Sequence, residues 1–208
     1  MSELKLIIVD PRFQVCHAMR EYFEELPDVE VVSGYFQDLP EFDCMVSAAN
    51  SFGLMGGGVD LAIVQYFGDS LEDRVQKRII EEFLGGQPVG TSMIVETGHE
   101  KHPYLAHTPT MRVPMDIAHT DNVCLAMSAM LRAVYHHNQS AAPKIQTIAC
   151  PGLGTGARNV PYREAARQMS LAYKYFLNPH KALNWTLADD RQSKIRFGGD
   201  MGFHFLTD

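Results

Sequence analysis

A strand, a glycine run and a helix follow one another without interruption in Cys44–Gly68, CMVSAANSFGLMGGGVDLAIVQYFG. The apolar strand turns at Asn50, crosses Gly56, Gly57 and Gly58, and enters a helix carrying Asp60 in its first turn. Glycine allows close backbone approach and φ > 0, and a helix start offers unpaired N–H groups to an anion. The layout therefore predicts a phosphate- or nucleotide-binding turn. A second unit repeats it: strand Ile145–Cys150 runs into PGLGTGARNVP, and a helix follows from about Pro161 to Leu177, with proline near its start, where no N–H is needed.

The rest of the chain alternates in the same way. Strands are predicted over Leu4–Val9, Val29–Tyr35, Cys44–Ala49, Thr91–Glu96 and Tyr104–Val113, the last interrupted by Pro109. Helices are predicted over Phe13–Leu26, from Val59, near Leu71–Leu84, and after a cap at Asp121 or Asn122. Leu71, Val75, Ile79 and Phe83 recur every four residues, which marks one helical face. Strands alternating with crossover helices imply a largely parallel sheet covered on both faces. Both glycine loops then fall at the carboxyl edge, where open α/β sheets bind ligands. Two such loops suit a diphosphate held between them.

Composition narrows the partners. At 208 residues the chain fits one domain, and a hydrophobic share of 46% is ordinary for a globular core. A net charge of −7 without a basic block argues against a nucleic-acid groove or an anionic membrane surface. Backbone loops bind phosphate without basic side chains, so an anionic ligand is compatible with that charge. The opening MSELKLIIVD is too short for a signal peptide, and no apolar run approaches the ~18 residues of a membrane span. Cys16, Cys44, Cys124 and Cys150 lie far apart and are expected as reduced, buried thiols in a cytoplasmic protein. His99, His102 and His107 lack a matching fourth zinc ligand, so neither metal nor cofactor is expected.

The segment VSAANSFGLMGGGVDLAI resembles the macro domain signature, close to VNAANxxLxGGGGVDxAI, with the same spacing of ten from Asn50 to Asp60. CPGLGTGARNVPYREAA is similar to that family's second loop, near FPxIxTGxxGxPxxxAA, and HTPTMRV at His107–Val113 is a weaker match between them. The resemblance covers roughly residues 43–176 and implies a three-layer α/β/α sandwich with a mixed, largely parallel sheet. The tail, 184–208, is expected to pack on that body.

Macro domains bind ADP-ribose, and some hydrolyse it from modified residues. The resemblance implies that Asn50 contacts the distal ribose and that Asp60 positions or deprotonates water near its anomeric carbon. It implies that Ala49, Gly56, Gly57, Gly58 and Val59 line the ligand from the first loop. Gly152, Leu153, Gly154, Thr155, Gly156, Ala157 and Arg158 would do so from the second. Read without the family, Asp60 is a first-turn carboxylate on a helix dipole and Asn50 closes an Asx turn.

Two departures stand out. The family often has Gly-Asp-Ile or Gly-Asp-Leu ahead of the central strand, its aspartate reading the adenine amino group; here Gly34, Tyr35 and Phe36 stand there. Either Asp38 substitutes, or an aromatic stacks on the base, or the base differs. Arg158 replaces a common aromatic, and is either a phosphate partner or a solvent-facing charge. The expected function is removal of mono-ADP-ribose from modified targets. The alternatives are a non-catalytic reader of ADP-ribose or a related metabolite, and an ADP-ribose 1″-phosphate phosphatase.

Overall fold

In a computed structural model, residues 4–156 and 160–195 are described. They form a six-stranded sheet in the order β2-β1-β6-β3-β5-β4. The strands are β1 (Lys5–Asp10), β2 (Val29–Ser33), β3 (Cys44–Asn50), β4 (Met93–Glu96), β5 (Tyr104–Met111) and β6 (Thr147–Cys150). The helices are α1 (Phe13–Phe23), α2 (Gly58–Phe67), α3 (Ser70–Phe83), α4 (Asn122–Ser140), α5 (Tyr162–Leu177) and α6 (Trp185–Ile195). All strand pairs are parallel except β4 with β5. The sheet is largely parallel and covered on both faces, as the alternation predicts, and the antiparallel β4 makes it the mixed α/β/α sandwich that the resemblance implies.

Strand alternation builds two cores. On β1, Leu6 and Ile8 pack with α1, α4 and α5, whereas Ile7 and Val9 pack with α2 and α3. Central strands buried on both faces read as continuous apolar runs, as Leu6–Val9 does. The helices after β6 and β3 lie on opposite faces of the sheet, although those two strands are neighbours. Their connections diverge and open a crevice at the carboxyl edge.

Several local expectations are corrected. Strand β5 runs unbroken through Pro109, because the β3 register shifts between Ala49 and Asn50 and the Thr110 hydroxyl donates to the Ala49 carbonyl at 3.3 Å. Asp121 occupies the α4 cap position without a side-chain cap bond. The Cys124 N–H of the first turn is instead satisfied by Gln168 Oε1 of α5 at 3.0 Å. Strand β2 stops at Ser33, and Phe36–Asp38 form a 3-10 turn that buries Phe36. Within the tail, α6 reaches the first core through Ile195 and takes a hydrogen bond from Arg167 Nη1 at the Lys194 carbonyl. Residues 196–208 lie outside the described residues.

Candidate functional site

A cavity of about 510 Å3 opens at the carboxyl edge, against the ends of β1, β3, β5 and β6. Both glycine loops reach it. Ala49, Asn50, Gly57, Gly58, Val59 and Asp60 line it from the first unit, and Gly152, Gly154 and Gly156 from the second. Asn50 and Asp60 thus share one cleft.

The first loop is held by side chains at its base. Asn50 Oδ1 accepts the N–H groups of Phe52 (3.0 Å) and Leu54 (3.3 Å), while its Nδ2 donates to the Leu54 carbonyl (2.7 Å). That is the Asx-turn arrangement, and it leaves one Nδ2 hydrogen for another partner. From α3, Glu72 accepts the Met55 N–H at 3.2 Å and Gln76 donates to the Gly53 carbonyl at 3.2 Å. Gly53 has φ +64, and a Cβ there would stand 2.8 Å from Val75 Cγ1. At Gly53 the loop sits too tightly on α3 for a side chain.

Asp60 occupies the third position of α2 and is 6% exposed. Ser47 of β3 donates its hydroxyl hydrogen to Asp60 Oδ1 at 2.7 Å. Burial pushes the carboxyl pKa up to about 6; the Ser47 bond opposes this, and the charge of Glu72 adds to it. The group therefore changes charge near neutrality, the range that suits proton transfer in water. The first N–H groups of α2 have no intrahelical partner, so the same turn presents donors to an anion.

The second loop divides its residues differently. Gly154 has φ +71, and a Cβ would meet Val123 Cγ2 at 2.6 Å. Leu153 is fully buried in the first core rather than on the cavity wall. Thr155 is 1% exposed, and its hydroxyl donates to the Gly152 carbonyl at 2.7 Å. Gly56 is exposed beside the cavity rather than on its wall. Ala157 and Arg158 lie outside the described residues.

Sequence reasoning missed the opposite end. Asp10 closes β1 and Arg12 opens the turn into α1; both line the cavity with Gly34, Tyr35, Phe36 and Gln37. Asp10 is 3% exposed and accepts Arg12 Nε at 2.8 Å and Nη2 at 2.7 Å. That bidentate bond is the first cause holding the Arg12 pKa above its usual value. Asp10 pairs with Ser33 across the sheet, and its backbone carbonyl accepts the Gly34 N–H at 3.1 Å, while its carboxylate is bonded to Arg12. Asp38 is exposed and off the wall. An Asp-Pro-Arg following the first apolar strand was the available signal, at the same sheet edge as the glycine loops.

The other candidates are accounted for by packing. Cys150 is fully buried in β6, and burial pushes its thiol up, away from the reactive thiolate. His102 stacks on Phe42 with ring centroids 3.8 Å apart, and His107 lies in β5 against Gln87. Among the described residues no helix is long and apolar enough to cross a membrane.

The sequence matches the macro domain family over residues 46–169. The chain belongs to that family. An uncharacterised Aquifex aeolicus protein is 34% identical over 143 residues, covering 68% of this chain and 78% of its own. A macro domain-containing protein of Caldanaerobacter subterraneus subsp. tengcongensis is 31% identical over 171 residues, covering 80% and 92%. Among solved structures, a substituted Oceanobacillus iheyensis macrodomain with ADPR superposes with a TM-score of 0.60 at 23% identity, covering 71% of this chain and 77% of that one. The Mycobacterium tuberculosis DarG macrodomain gives 0.55 at 20%, covering 69% and 88%. A Trypanosoma brucei macrodomain in complex with ADP-ribose gives 0.52 at 20%, covering 84% and 58%.

Proposed function

We propose that this macro domain binds ADP-ribose in the carboxyl-edge cavity and hydrolyses mono-ADP-ribose from a modified target. Similar macrodomains solved with ADPR or ADP-ribose support the ligand. The observation that carries the reaction is Asp60, a buried carboxylate titrating near 6 on the wall it shares with Asn50 and both glycine loops.

Backbone N–H groups at Gly57–Val59 and the second loop hold the diphosphate, which fixes the distal ribose near Asn50 and Asp60. Ser47 occupies one oxygen of Asp60, leaving the other to take a proton from water. Water attacks C1″ as the bond from C1″ to the target breaks, and the departing group takes up a proton. Positive charge developing on the sugar is stabilised by the carboxylate.

Incubation with a mono-ADP-ribosylated protein tests this: free ADP-ribose is expected from wild type and not from Asp60→Asn, with ADP-ribose binding retained in both. Equal turnover by the two removes Asp60 from the reaction. Binding without any release leaves the reader. That second reading is favoured by the bonds of Asn50, whose oxygen and one amide hydrogen are already spent on its own loop.

A further inference from the structure

An arginine in a cavity that takes phosphate invites assignment as a phosphate ligand. Counting its hydrogens points elsewhere. A guanidinium has five N–H groups. In Arg12, Nε and one Nη2 hydrogen go to Asp10, the other Nη2 hydrogen goes to Thr155 Oγ1 at 2.7 Å, and one Nη1 hydrogen goes to the Thr155 carbonyl. Four of the five are committed inside the protein, and the charge is matched by Asp10 at 2.7 Å.

The partners lie 143 positions apart in sequence. Thr155 carries the connection on, since its hydroxyl donates to the Gly152 carbonyl. A continuous path thus runs from the end of β1 through Arg12 and Thr155 to Gly152, on the cavity wall. Among the described residues, Arg12 is the side chain distant in sequence that hydrogen-bonds Pro151–Gly156. Gly152, Gly154 and Gly156 bring no side chain with which to hold the loop themselves.

We propose that Arg12 is a positioning residue: seated on Asp10, it fixes the second glycine loop against β1 and sets the spacing of the backbone donors that grip a diphosphate. It acts through the loop and makes no ion pair with the ligand. The ligand in this statement rests on the proposed function; the tie between Arg12 and the loop does not.

The test therefore begins on the free protein. Amide hydrogen exchange over residues 150–156 is expected to quicken about tenfold in Arg12→Ala, the loss of a charged hydrogen-bond set. Exchange in β3 and β5 stays at the wild-type rate. Arg12→Lys keeps the charge but cannot fork between Asp10 and Thr155, so it does not restore protection. Thr155→Val, which keeps both volume and Arg12, gives a partial version of the same change. In titrations, Arg12→Ala weakens ADP-ribose by about tenfold, and Thr155→Val, which leaves Arg12 on the cavity wall, weakens it in the same direction by less. Unchanged loop exchange, exchange that quickens equally throughout the sheet, or full rescue by lysine overturns the proposal. If wild type ignores ADP-ribose, the proposed function fails, and the exchange result still decides the role of Arg12.

Discussion

Ser47 and Asp60 meet across 2.7 Å, joining the central strand to the first turn of α2 by one hydrogen bond between buried groups. Because the bond stabilises the carboxylate and burial destabilises it, ionisation of Asp60 is linked to folding. The folded pKa of about 6 lies above the ordinary 3.8, so the folded state holds this proton more tightly. Stability from this group is complete below about pH 4 and is lost as pH rises through about 6. Asp60→Asn has no such titration. In urea unfolding, the stability of Asp60→Asn relative to wild type should grow by about 3 kcal/mol between about pH 4 and pH 8, the worth of a shift of this size. A pH-independent difference would contradict the assigned titration.

Ser47→Ala removes the one cause that lowers the Asp60 pKa. The acid limb of the pH-rate profile for ADP-ribose release is expected to move upward from about 6, with the plateau rate less affected than the midpoint. Steady-state rates over about pH 5 to 9 read this directly.

Gly57 of the first loop and Gly154 of the second should respond differently to substitution. Nothing lies within 4 Å of a Cβ at Gly57, and its φ is −158, so alanine fits the fold. Gly57→Ala is expected to leave thermal stability within about 0.5 kcal/mol while weakening ADP-ribose, since the new methyl stands on the cavity wall. Gly154→Ala meets Val123 at 2.6 Å in a left-handed conformation and should cost about 2–4 kcal/mol. Paired melting curves and titrations distinguish the two effects.

Gln87, fully buried, holds His107 from two directions: Oε1 lies 2.6 Å from His107 Nδ1, and Nε2 donates to the His107 carbonyl at 3.3 Å. Burial pushes the His107 pKa down to about 3, so the ring is neutral at pH 7 and donates through Nδ1. Gln87→Leu strands that donor and should cost about 1–3 kcal/mol. Adding His107→Leu is expected to recover part of the loss, a coupling that a double-mutant cycle in urea would measure.

What could be read from the sequence was what is local. The glycine loops, the motif spacing from Asn50 to Asp60 and the apolar period of α3 are properties of contiguous residues: both loops reach the carboxyl-edge cavity, Asn50 and Asp60 line it, and Leu71, Val75 and Ile79 are buried. Arg12 with Thr155 was invisible because the bond spans 143 positions and neither residue disturbs its local pattern. Leu153 and Thr155 fell inside a ligand motif, yet Leu153 packs into the core and the Thr155 hydroxyl is engaged by Arg12 and the Gly152 carbonyl, partners set by tertiary packing. Proline in β5 was read as a break because the compensating shift in its neighbour β3 is a tertiary feature.

Each rim of the cleft is fastened to a different layer: α3 grips the first loop through Glu72 and Gln76, while the turn into α1 grips the second through Arg12. The aperture is therefore a gauge of how thickly the helices are laid upon the sheet. Repacking beneath α1 or α3, far from any bound molecule, would widen or narrow the jaws, so evolution could retune ligand preference with residues that never meet the ligand.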